Sequence, residues 1–143
     1  MILIIFHAIV TFILTGLIWV IQLAHYPMFQ FLDLKNHSKA MQFHQQRISL
    51  IVVPLMLFEL ISGIYLAHSQ WGILSGFHAI NIAFLLIIWV HTFGLMVPFH
   101  QTMSIQPNII LLKKTLQHHW IRTLAWSAKS ILWGAILWHI LSI

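Results

Sequence analysis

The chain has 143 residues, of which 60% are hydrophobic and only 6% charged, with a formal net charge of +5 at pH 7. That balance excludes a water-soluble domain, whose surface would need roughly 25% charged residues. The absence of cysteine from the sequence excludes disulfides, thiolate metal sites and thiol redox chemistry.

Residues 2–24 are the first of four long apolar stretches; the others cover 48–67, 77–97 and 120–143. Each is close to the roughly 20 residues that a helix needs to cross a hydrocarbon layer. With a mean hydropathy of +0.91, the pattern predicts an all-α integral membrane protein. Its fold is a single four-helix transmembrane bundle over residues 1–143.

Span one lacks a basic n-region and an A-x-A cleavage site, so it reads as a retained span rather than a signal peptide. His7, Thr11, Thr15, Ile18, Gln22 and His25 recur every three or four residues. They fall within an arc of about 80°, a polar stripe expected to face the bundle interior. Tyr26-Pro27 should end this helix. The polar segment 36–47 predicts a short interfacial helix with Met41 and Phe43 turned to lipid.

Span two carries Pro54, where a kink is expected, and Glu59, which falls near mid-membrane about 18 Å from Arg47. A tight turn at Trp71-Gly72 leads to span three, where His78, Asn81, Leu85, Ile88 and Thr92 share a face. Pro98 should close that span, and Pro107-Asn108 should punctuate the next connection, with 109–119 forming a surface turn. In span four Lys129 lies about 10 Å beyond Arg122. There Thr123-x-x-x-Ser127 and Ser130-x-x-x-Gly134 have the small-xxx-small spacing of close helix packing.

Ionisable groups within spans are costly, so each needs a partner or a role. Spans two and four run in the same direction, which lets Lys129 reach towards Glu59. These two are the candidate catalytic residues; the alternative is a structural, charge-neutralising pair. His7, His78 and His139 fall at similar depth and are candidate ligands, because neutral imidazole binds haem iron and transition metals. A second group comprises His25, His37, His44, His91, His100, His118 and His119. It contains no H-x-x-x-H, E-x-x-H or H-E-x-x-H pattern, so no di-iron or zincin site is signalled and interfacial roles are expected.

Lys35, Lys39 and Arg47 lie between spans one and two, and Lys113, Lys114 and Arg122 between spans three and four; the opposite side has no Lys or Arg. The positive-inside rule then predicts both connections cytoplasmic and both termini outside, in a bacterial-type inner membrane. The same distribution argues against nucleic acid as a partner. The expected partners are the lipid bilayer and a homo-oligomer or larger membrane complex.

Phe6-His7, Arg47-Ile48 followed by Pro54-x-Met56 and Gly63, and Gly76-Phe77-His78 give the chain a resemblance over most of its length. It resembles the HemJ-type protoporphyrinogen oxidases and, more loosely, the CopD-like copper-resistance membrane proteins. The resemblance implies haem as cofactor and His7 as its ligand. The HemJ-type proteins carry an arginine where this chain has Gln22 and a lysine near the position of Asn81, so these two stand in cofactor-binding positions with the charge removed. Trp19-x-x-Gln22-x-x-His25-Tyr26-Pro27, Pro54-x-Met56-x-x-Glu59 and His119-Trp120-Ile121-Arg122-Thr123 look instead like a distinct small-membrane-protein family. The resulting expectation is a haem- or metal-binding membrane protein with a redox role, either electron transfer or oxidation of a lipophilic substrate. The rival is a non-enzymatic scaffold or accessory subunit whose polar stripe only packs.

Overall fold

The computed structural model describes residues 1–69, 71–106 and 108–142, without the side chains of residues 34, 35 and 71–74. Span one is built from α1 (Ile2–Val20), a π turn (Ile21–His25), α2 (Tyr26–Met28) and a 3-10 turn (Phe29–Phe31). Span two is α3 (Leu34–Ser69). Span three is α4 (Trp71–His91), a second π turn (Thr92–Met96) and α5 (Val97–Ile105), and span four is α6 (Ile109–Leu141). Four stretches, Ile2–Phe31, Asn36–Ser69, Ser75–Ile105 and Ile109–Leu141, are long and apolar enough to cross a membrane. The chain is an all-α, multi-pass membrane bundle.

These stretches are 30 to 34 residues long, well beyond the expected spans. The segments 36–47 and 109–119 are not separate surface helices but the first turns of α3 and α6. Neither contains a Gly or Pro to interrupt it. Asn108 starts α6 as an N-cap, its Oδ1 accepting from the Ile110 and Leu111 amides at 2.8 and 3.3 Å. Met41 faces the core, fully buried, while Phe43 is exposed as expected.

Pro27 and Pro98 do not end their helices either, and each follows a π turn. A proline ring normally clashes with the carbonyl four residues back, and the wider i→i+5 turn moves that carbonyl away. Pro54 lies on the exposed face of α3, which continues through it. The turn expected at Trp71-Gly72 is helical backbone at the start of α4, and the side chain of Trp71 lies outside the described residues, as do Pro107 and Ile143.

Each span packs on its neighbours in sequence, and α1 against α6 closes the ring. The termini and the α3–α4 connection share one end, called here the terminal end; the other two connections form the loop end. The interior is layered. Ile4, Ala8, Leu66, Trp133 and Ile136 pack at the terminal end, Val10, Leu14, Met56, Ile88 and Trp126 in the middle, and Tyr26, Phe29, Met41, Met103 and Leu112 towards the loop end. The outward faces are apolar: Val20, Ile61, Val90 and Ile131 are 60 to 74% exposed, as side chains solvated by lipid require.

Of the small-residue pairs in span four, Ser127 accepts the Trp19 indole N–H at 3.0 Å and Ser130 meets Thr15 at 2.6 Å, so this face packs on α1. Gly134 faces open space. The close approach lies elsewhere, at Gly63, where an added Cβ would come within 2.8 Å of Leu85 Cδ1.

Candidate functional site

Two polar groups are embedded in the bundle. The first surrounds Glu59 and Lys129, both fully buried, with Lys129 Nζ 2.5 Å from Glu59 Oε1. Thr11 Oγ1 donates to the same oxygen at 2.8 Å, and Trp126 Nε1 donates to Oε2 at 3.3 Å. Lys129 Nζ also donates to Thr11 Oγ1 at 3.4 Å. Two spans, one and four, thus supply donors to one carboxylate placed on a third. A buried ion pair persists only where its remaining hydrogen-bonding capacity is met in this way.

Next to the pair, towards the terminal end, lie His7, Ser62, Asn81, Trp133 and His78. Ser62 Oγ donates to the Phe58 carbonyl at 2.6 Å, so a lone pair faces His7 Nδ1 at 2.7 Å. The network therefore assigns the imidazole proton to Nδ1. His7 Nε2 then carries a lone pair that is buried without a partner. The indole of Trp133 can only donate; its Nε1 lies 3.0 Å from Asn81 Oδ1 and so orients the amide. Among the described residues, Asn81 Nδ2 and both nitrogens of His78 are buried without partners. The ring of Trp133 lies 4.4 Å from that of His7, and the Gly63 backbone closes a further side.

The second group lines a cavity of about 100 Å³ towards the loop end. Its walls are apolar, with Ile18, Ile21, Val52, Met56 and Met96 among them, and its polar end is made by Tyr26, His44, His100, His119 and Arg122. Val53 and Phe93 line the cavity yet are 42 and 50% exposed, so its mouth opens sideways between spans two and three. Both π turns border it, through Ile21 on one side and Thr92, Phe93 and Met96 on the other.

Tyr26 Oη is hydrogen-bonded to His100 Nε2 at 2.5 Å. Gln22 Nε2 donates to the Leu116 carbonyl at 3.4 Å, which turns Gln22 Oε1 towards His119 Nδ1 at 2.6 Å. His119 is thereby protonated on Nδ1, leaving Nε2 as an acceptor. The Tyr26 ring lies edge-on to His119 at 4.6 Å, and His25 and His44 lie 4.4 Å apart. Arg122 is 6% exposed, its guanidinium 5.4 Å from the centre of the Trp126 ring, and its Nε has no partner. Among the described residues the only ion pair is Lys129–Glu59.

The structure therefore brings Glu59 and Lys129 together and places His7, His78 and Asn81 in the buried interior at the terminal end. It separates two other candidates from them. Gln22 belongs to the cavity group, 15 residues and about 22 Å along the helix from His7. His139 is exposed in the last turn of α6 and does not join the interior group. Arg122, read from sequence as a loop charge, is a buried residue of α6. His44, His100 and His119, read as interfacial, line the cavity. A signal for α6 was present in the spacing: His119, Arg122, Trp126, Lys129 and Trp133 recur every three or four residues and are all buried. Among the described residues no three of His, Asp and Glu converge as metal ligands. No protein-family model, curated protein or solved structure matches the chain, so its function is read from this geometry alone.

Proposed function

We propose that this chain binds a lipid-soluble molecule that enters sideways from the bilayer between spans two and three. The supporting observation is the cavity itself, with apolar walls, a mouth at Val53 and Phe93, and a polar end at Tyr26, His100, His119 and Arg122. Ligand sites in helical bundles have this make-up, and polar groups retained at membrane depth mark functional positions. The lipophilic substrate expected from the sequence is assigned to this cavity. There His119 Nε2 and the Tyr26–His100 pair are placed to accept or share a proton with its head group. The test is organic extraction of gently purified protein followed by mass spectrometry. The wild type should carry a specific lipophile that Val53→Trp, which blocks the mouth from an exposed position, depletes at least tenfold. Equal lipophile content in both proteins would reject binding at this cavity.

A redox-active metal ion or haem is the second reading, favoured by the free Nε2 of His7 and the unpaired nitrogens of His78. The resemblance to haem- and copper-linked membrane proteins points the same way. An ion held there would supply one-electron chemistry. The enclosure of His7 by Trp133 and Gly63 suits a single ion better than a macrocycle. Visible absorption and metal analysis test it: a Soret band or bound metal should be lost on His7→Ala. A colourless, metal-free protein from a haem- and metal-replete host would favour a scaffold role for this group.

For orientation, the loop end is assigned to the cytoplasm of a bacterial-type inner membrane. Lys39, Lys113 and Lys114 are exposed there, and no Lys or Arg occurs at the terminal end. Burial removes Arg122 from that bias without reversing it. A reporter active only outside the cytoplasm, fused after Ile143, should be active; an inactive reporter, with a cytoplasmic one active instead, would invert the topology.

A further inference from the structure

Among the described residues no carboxylate meets Arg122. The sequence holds two acidic side chains. One, Glu59, is committed to Lys129, Thr11 and Trp126, and the other, Asp33, is exposed in the connection after span one. Arg122 is nonetheless 94% buried and lines the polar end of the cavity. A guanidinium held at membrane depth against one aromatic face, with Nε unpaired, is a cation awaiting an anion. Its planar fork matches a carboxylate. The neighbouring groups do not supply competing negative charge: Tyr26 is engaged with His100, and His119 presents a neutral Nε2 lone pair.

Volume narrows the ligand further. The cavity, about 100 Å³, is smaller than the ~150 Å³ that accepts a benzene ring. A ring or a two-chain head group would sit partly in the mouth rather than wholly inside. A carboxyl group and the first few methylenes of one chain fit, with the rest of the chain leaving past Val53 and Phe93 into the bilayer.

On the reading that this cavity binds a lipophile, we propose that its ligand is a single-chain amphiphile with a carboxylate head, of the long-chain fatty acid class, paired with Arg122. The remaining carboxylate lone pairs and the chain need no further partner than the cavity offers, and no covalent step is involved.

Competition against a photoreactive diazirine palmitate tests this, with the full chain in nanodiscs under conditions that ionise the carboxylate. Unlabelled palmitate, hexadecanol and a short-chain ubiquinone are the competitors. Palmitate should compete at least tenfold better than hexadecanol, with crosslinks mapping to α3 and the second π turn. Arg122→Met should abolish that preference while leaving the bundle folded, because replacing an unpaired buried charge by an apolar side chain removes a desolvation cost. The comparison of ligands on the wild type stands even if that variant does not fold. Equal competition by palmitate and hexadecanol, or stronger competition by the quinone, would overturn the carboxylate assignment and leave the cavity reading intact. The absence of specific, competable labelling by any of them, with Val53→Trp labelled like the wild type, would overturn both.

Discussion

Glu59→Gln should lower the stability of the bundle by about 3–5 kcal/mol, the largest loss expected from a single substitution here. Glutamine keeps the shape of the side chain and can still accept from Thr11 or Trp126. What it removes is the charge facing Lys129 Nζ, which is left with neutral acceptors alone, the amide oxygen and the Thr11 hydroxyl at 3.4 Å. An ammonium with no exposed surface cannot recruit water, and its desolvation is no longer offset. Lys129→Met alone should cost less, since the carboxylate retains two donors, Thr11 Oγ1 and Trp126 Nε1. Combining the two substitutions should restore most of the loss, because an apolar or neutral replacement of both members of a buried pair is often neutral. The interaction term of that double-mutant cycle, read from melting in detergent, is expected in the range of about 0.5–3 kcal/mol. If Glu59→Gln melts like the wild type and Lys129→Met adds nothing, the pair is not structural. Glu59 would then be free for proton transfer, and a pH-dependent activity lost in Glu59→Gln would reveal it.

Gly63→Ala should destabilise by about 1–3 kcal/mol, the range for one extra methyl in a packed interior. The new Cβ would fall 2.8 Å from Leu85 Cδ1, 3.2 Å from His7 Cε1 and 3.3 Å from Asn81 Nδ2. Leu85 is 1% exposed, so its side chain cannot swing into solvent or lipid. Either it takes a poorer rotamer or α3 moves away from α1 and α4, and the latter weakens the Ser62–His7 hydrogen bond. Gly63→Val should cost more. The control is Gly134→Ala, where nothing lies within 4 Å of the new atom. It should be neutral or stabilising, since alanine is favoured over glycine inside a helix by about 0.8–1 kcal/mol. Melting of the two variants side by side checks the packing: equal effects would mean that spans one, two and three do not meet at Gly63.

The four spans and the inward stripe of span one were legible in the sequence, because both rest on rules that act residue by residue. Hydrocarbon admits long apolar helices and makes every ionisable group expensive, so Glu59 and Lys129 had to face each other or a cavity. Of the stripe, His7, Thr11, Ile18 and Gln22 are buried as the period required while Thr15 and His25 are half-buried, and the face His78, Asn81, Leu85, Ile88 and Thr92 is buried throughout. The helix ends were not legible. Polar residues between apolar stretches read as loops, yet residues 36–47 and 109–119 carry nothing that breaks a helix, and two π turns absorb the prolines that should have stopped spans one and three. That error displaced Arg122, which the charge distribution counted with the connection at the edge of span four and which the continuous α6 carries into the interior. The proton on His7 Nδ1 depends on Ser62, fifty-five positions away in sequence, already donating to a carbonyl. The cavity belongs to no segment at all. It exists because four helices, two of them locally widened, fail to close completely around Arg122, and a gap between elements is a property of their relative placement that no local pattern encodes.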